Sequence, residues 1–169
     1  MKLKTTLLAI ILAITFTSCS KDESAISENS VKNNEPVDLS LALQNDIKMT
    51  NEILALVNDH RESIGLNRLS LDTEYASAYA VDHTQYMMDV EKINHDYFSE
   101  RSDALKSRGA VKVGENVAFG YDTAEAVVNA WLNSPGHKRA IEGEYTHSGF
   151  GIVKSPENRY YFTQLFYKK

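Results

Sequence analysis

The chain has 169 residues, with 18 lysines and arginines against 23 aspartates and glutamates and a net charge of −5, which is material for one ordinary domain. The acidic balance and the lack of a basic run leave no electrostatic footprint for phosphate backbones, so nucleic acid is excluded as a partner. Cys19 is the single cysteine, which excludes an internal disulfide.

Lys2 and Lys4 form a short basic region ahead of an apolar run from Leu7 to Ile14 that is too brief to span a bilayer as a mature helix. Residues 1–18 therefore read as a secretory signal. The run ends in Phe16-Thr17-Ser18-Cys19, which resembles a bacterial lipobox with Phe16 where Leu is usual, and makes Cys19 the acylated first residue of the mature protein. Cleavage there removes two lysines and no acid, leaving 16 basic against 23 acidic residues and a net charge of −7. No polybasic patch remains for anionic lipid, so membrane attachment falls to the acyl chains. With Cys19 consumed, any site must be built from histidine, carboxylate, hydroxyl and backbone groups.

Residues 19–43 carry the lipidated cysteine and a flexible tether. From Ser20 to about Pro36 the chain is mostly Ser, Asn, Asp, Glu and Lys and cannot bury enough surface to offset its ordering entropy. Ser20-Lys21-Asp22-Glu23 resembles the short Lys-acid-acid signal that sends lipoproteins to the surface of some Gram-negative cells, and reads equally as an acidic linker. The expected location is the outer membrane or cell surface, with the domain facing the periplasm or the exterior.

Residues 44–169 form the domain. Ile53, Leu54, Leu56, Val57 and Ile64 recur at helical spacing, giving a first helix over about Asp46 to Ser63 that Gly65 closes. Asp72 is placed to cap a second helix, on which Ala76, Tyr79, Ala80, His83 and Met87 share one face. His83 thus points at the core, where a histidine is more often a hydrogen-bonded packing residue than a ligand. Ser99 to Arg108, closed by Gly109, is a short third helix. Asp122 and Glu125 give a capping-box start to a fourth, which carries Val127, Val128 and Trp131. Gly114 to Phe119 reads as extended. Ser148 to Lys154 and Arg159 to Phe166 pair as an antiparallel hairpin about the turn Ser155-Pro156-Glu157-Asn158. Together these make an α+β domain of helices around a small, mainly antiparallel sheet.

Five ordered groups of residues then resemble a known family. They are Val57-Asn58-x-x-Arg61 with Gly65-Leu66 and Leu69; Asn94-His95; Gly114-Glu115-Asn116-Val117-Ala118; Trp131-x-x-Ser134-Pro135-Gly136-His137; and Gly149-Phe150-Gly151 with Gln164-x-Phe166. This series is similar to the bacterial branch of the CAP superfamily, which joins cysteine-rich secretory proteins, antigen 5 and pathogenesis-related proteins. The resemblance covers about 120 residues and implies a three-layer α-β-α sandwich. It also implies a cleft of two histidines and two acidic residues that binds a divalent metal such as zinc in some members.

Carried over by motif, His95, Glu115 and His137 take three of those positions. The fourth has no counterpart, since Leu132-Asn133-Ser134 follows Trp131 and no acid precedes His137. Two imidazoles and one carboxylate are the composition of a catalytic-type zinc site with an open position. The same three residues also suit purely structural roles: His95 satisfying a loop carbonyl, Glu115 capping backbone donors, His137 bonding at a helix start. Gly114 and Gly136 are read as supplying backbone freedom, Asn116 as a backbone-bonding loop residue and Gln164 as strand scaffolding. His83 and Ser134 are possible cleft neighbours.

Neither Ser134 nor Ser148 lies in a nucleophile elbow, and no aspartate is placed to orient a histidine against them. A metal-activated water, with Glu115 as ligand or general base, is the better enzymatic reading, in the manner of a peptidase-like hydrolase. Binding of a small molecule, lipid or protein ligand ranks ahead of hydrolysis, because the family shares no one reaction. A purely protein-interaction surface, using strand aromatics such as Tyr160 or Tyr167, is the third reading.

Overall fold

The computed structural model describes residues 36–169, which form one compact unit, Pro36–Lys169. The signal, Cys19 and residues 19–35 of the tether lie outside the described residues. In chain order the unit contains a 3-10 helix (Leu39–Gln44), α1 (Ile47–Ser63), β1 (Ser70–Leu71), α2 (Tyr75–Asp89) and α3 (Phe98–Lys106). β2 (Lys112–Phe119), α4 (Ala124–Leu132), α5 (Pro135–Ile141), β3 (His147–Lys154) and β4 (Tyr160–Lys168) follow.

The sheet order is β1-β3-β4-β2, antiparallel except for the short β1–β3 pair. β4 is flanked by β3 and β2, and its side chains alternate between two apolar layers. Phe162 and Phe166 pack with α1 and α4 through Ile53, Val57, Val128 and Trp131. Leu165 and Tyr167 pack with α2 through Ala76 and Ala80, while Tyr161 joins Met87. Because strands covered on both faces lose the polar half of their alternation, β4 is buried almost end to end. The result is the expected three-layer α-β-α sandwich.

Helix starts show where local reading succeeds. Asp46 caps α1, accepting from Met49 N at 3.0 Å, and its other oxygen accepts from Tyr160 Oη at 2.7 Å. Gly65, at φ +81°, follows the helix end in the left-handed conformation that glycine tolerates. Two expectations shift. Asp72 does not cap α2: the N-cap is Glu74, without a side-chain bond, and Asp72 accepts instead from Glu74 N and Tyr167 Oη, both at 2.9 Å. Asp122 gives way to Thr123, whose hydroxyl accepts from Ala126 N at 3.2 Å and starts α4 one residue later. Asp72 is drawn into a tertiary bond with Tyr167, whereas at α4 the cap passes to the adjacent residue.

The first motif is structural. Asn58, buried on α1, donates to Leu69 O and accepts from Leu69 N, which holds the segment entering β1. Arg61, 1% exposed, spends its guanidinium on four carbonyls: Asn67 O, Ile141 O, Gly143 O and Tyr145 O. These bonds fasten the chain after α5 to α1 and so fix where α5, with His137 on it, can lie.

Candidate functional site

Glu115 sits on edge strand β2 with its side chain 2% exposed, on the α2/α3 side of the sheet. A carboxylate taken this far from water needs charged or hydrogen-bonding partners. Arg101, buried on α3, supplies them: Nε donates to Oε2 at 2.9 Å and Nη2 to Oε1 at 3.0 Å, a two-pronged clamp. Arg101 Nη1 donates to Asp96 O at 2.8 Å, which ties the clamp to the loop that precedes α3.

That loop carries His95. Asn94 Oδ1 accepts from Asp96 N at 2.9 Å, an Asx turn, and Phe98 N donates to His95 O at 3.1 Å. Tyr97 stands at φ +58°, a left-handed conformation uncommon for a tyrosine, which the flanking bonds sustain. The turn brings His95 Nδ1 to 2.7 Å from Glu115 Oε1, while 53% of the side chain stays exposed. A carboxylate oxygen accepts, so Nδ1 carries a proton, and in the neutral ring it is Nε2 that has the free lone pair.

His83 lies beneath. It is 1% exposed, its Nε2 donates to Asn94 O at 2.9 Å, and it stands 4.0 Å from Glu115 Oε1. Burial, then the Arg101 charge, pushes its pKa down to about 4 against the opposing pull of Glu115. His83 is therefore neutral at physiological pH. Tyr86 stacks on it, donates to Asp96 Oδ2 at 3.0 Å and meets Tyr97 edge-on.

His137 enters from α5, on the far side of the edge strand. Asn116 Nδ2 donates to His137 O at 3.2 Å, and Trp131 Nε1 donates to Val117 O at 3.2 Å, so α4 and α5 are both stitched to β2 beside Glu115. The His137 ring is half-buried, and its pKa is lowered first by burial and then by the nearby charge of His95. The two imidazoles thus share one electrostatic neighbourhood across the rim of the sheet.

Ser134 is the N-cap of α5 without a side-chain capping bond. Ser148 is buried and donates to Leu165 O at 3.0 Å, inside the sheet. Gln164 Nε2 donates to Ser148 Oγ at 3.1 Å, as strand scaffolding, and Asn116 bonds backbone, though from a strand rather than a loop. Gly114 leaves room for Tyr145: a Cβ there would meet the Tyr145 hydroxyl, and the ring would have to shift. Arg101 is the residue sequence reasoning missed. Its separation of 14 positions from Glu115 forms no local pattern, and only its place among Ser102 and Leu105 on the inner face of α3 could have hinted at burial.

Among the described residues no group of three or more His, Cys, Asp or Glu side chains is arranged to hold a metal ion. The oxygens of Glu115 already accept from Arg101 and His95. A cation bound directly to that carboxylate would stand against a buried guanidinium. Glu115 fits the other carboxylate role at metal sites, the partner that orients a ligating histidine through its second nitrogen.

The model of the CAP family, described as the cysteine-rich secretory protein family, matches residues 54–166. The chain belongs to this family. Two Bacillus subtilis proteins are similar to this CAP chain: uncharacterized membrane protein YlbC, 36% identical over 125 residues, and uncharacterized protein YkwD, 37% identical over 109. The matches take in 70% and 62% of this chain but only 34% and 42% of those proteins. Among solved structures, an outer surface protein from Borrelia burgdorferi superposes with a TM-score of 0.65 at 26% identity, over 72% of this chain and 93% of that one. An extracellular protein containing an SCP domain from Bacillus anthracis gives 0.59 at 26%, over 74% and 44%. The fold recurs in a cysteine-rich secretory protein of Staphylococcus aureus, with a TM-score of 0.61 over 75% of this chain and 40% of that one, at 17% identity.

Proposed function

We propose that this CAP domain is a binding module of the cell envelope, whose cleft uses His95 and His137 to hold a divalent cation, zinc by preference, with Glu115 orienting His95. The observation that carries the reading is the 2.7 Å bond from His95 Nδ1 to a buried, clamped carboxylate, which leaves the other nitrogen of a half-exposed ring bare. Imidazole suits zinc and its first-row neighbours. With two protein ligands the ion would be held weakly, and remaining positions would take water or a ligand, for which a bound zinc supplies Lewis acidity. Hydrolysis ranks second, because Glu115 is bound on both oxygens and has no lone role as a general base.

The envelope location rests on the signal-like N-terminus, on Cys19 as an acylation site, and on the extracellular and outer-surface descriptions of the structural relatives. Among the described residues no helix is long and apolar enough to cross a membrane, which suits attachment through lipid at Cys19. Replacing Cys19 with Ala is expected to abolish acyl labelling; unchanged labelling would refute the anchor.

Calorimetric titration of zinc at neutral pH tests the cleft. One weak site is expected in the wild type, lost in His95→Ala and His137→Ala, and weakened about 10- to 100-fold in Glu115→Gln, the range seen when a histidine's orienting partner is removed. Equal affinity in the wild type and His137→Ala would overturn the assignment.

A further inference from the structure

A second pocket, of about 370 Å³, opens where the start of α2, the end of α3 and the end of β4 meet. None of His95, Glu115 or His137 lines it. Its volume lies in the range of small-molecule sites. The inner wall is apolar and rigid: Leu105 is 3% exposed, and Tyr167 is 4% exposed with its ring stacked on His147 at 4.8 Å.

The rim is cationic in an acidic protein. Arg108 lies over the Tyr75 ring, 3.5 Å from its centroid, and among the described residues it has no carboxylate partner. Stacking holds the plane of the guanidinium and leaves its N–H edge available, the arrangement that suits a two-pronged grip on an oxyanion. Lys169 Nζ stands 5.8 Å from the Tyr167 ring centroid. Ser107 Oγ donates to Ala104 O at 2.7 Å and keeps lone pairs turned away from that bond.

Asp72 is the one side-chain carboxylate in the lining, and both its oxygens are engaged, Oδ1 by Glu74 N and Oδ2 by Tyr167 Oη. The groups left to meet a guest are therefore a guanidinium, an ammonium, an aromatic plate and an apolar floor. We propose that this pocket binds a small molecule that joins an oxyanion, carboxylate or phosphate monoester, to a flat apolar body. The oxyanion sits at Arg108 and Lys169, and the apolar body lies against Leu105 and Tyr167.

The test is a titration of the full-length protein with phenyl phosphate and, in parallel, benzoate, followed by backbone amide shifts. Saturable shifts are expected at Tyr75, Ser107, Arg108 and Tyr167 for at least one of the two, and which one binds identifies the oxyanion. Arg108→Gln, at an exposed position, should weaken that binding about tenfold, the loss expected of one charge-assisted pair. Benzyl alcohol and inorganic phosphate, each lacking one half of the recognised chemistry, should bind about tenfold more weakly. Equal affinity in Arg108→Gln, equal binding of benzyl alcohol, or shifts centred on His95 and His137 would overturn the proposal.

Discussion

The two flanks of β4 are built on opposite principles. Toward α2, Gly149 and Gly151 on β3 let the helix backbone at Ala76 and Ala80 come so close that a Cβ at either glycine would collide with it. That seam is closely packed and has no slack, and two α2 hydroxyls bond across it, Ser77 Oγ accepting from Phe150 N at 3.1 Å and Thr84 Oγ1 donating to Gly151 O at 2.9 Å. At the edge strand β2, the Glu115 neighbourhood is polar: the carboxylate is held by Arg101 and bonded by His95, and His83 beneath it donates to Asn94 O. Close packing fixes the position of α2, and mutual electrostatic need fixes the position of His95. A cleft for binding belongs at the second kind of place, since its groups keep bonding capacity that a packed seam has none of.

Substitutions can break either side, and the polar side should give the largest effect. Arg101→Met leaves Glu115 buried without its countercharge, with an expected cost of about 3–5 kcal/mol in urea unfolding. A double variant, Arg101→Met with Glu115→Leu, should recover much of that loss, because the stranded charge is then gone too. On the packed side, Gly151→Ala should cost about 3 kcal/mol by the same measurement, since helix backbone rather than a flexible side chain stands in the way. A cost near zero would show that α2 can retreat.

pH sharpens the contrast. His83 holds a pKa of about 4 in the fold against 6.5 in the unfolded chain, so on acidification the unfolded chain takes up its proton first. Its stabilising contribution is therefore complete above pH 6.5, declines as pH falls toward 4, and is flat below. Between pH 7 and 4.5, with chelator present, the wild type should lose about 2 kcal/mol more than His83→Gln. Parallel pH profiles of the two proteins would contradict this. The smallest effect is expected at Tyr167→Phe, which removes the hydrogen bond to Asp72 but keeps the ring, at about 1 kcal/mol in thermal unfolding.

What was legible in the sequence followed the range of the interactions that decide it. Asp46, the Ile53 and Val57 stripe, Gly65 and the β3–β4 hairpin are governed by neighbours within a few residues, and they stand as expected. The cap at Asp72 was lost because Tyr167, 95 residues away, claims its carboxylate, while the cap at Asp122 moved one residue along, to Thr123. At the site, family motifs brought in His95, Glu115 and His137, but not how Glu115 is used. That depends on Arg101, 14 residues away on another element. The β1 strand escaped for a similar reason, since two residues of parallel pairing with β3 have no periodicity to show.

The central claim is that Glu115 turns His95 outward, so that its Nε2 and the His137 ring serve one ion. Long-range proton–nitrogen NMR spectra of the five histidine side chains test it most directly, taken before and after one equivalent of zinc. The account predicts His95 protonated at Nδ1 in the metal-free protein, then zinc-dependent shifts at His95 and His137, with His60 and His147 unmoved. A His95 protonated at Nε2, or zinc shifts that spare His137, would contradict it.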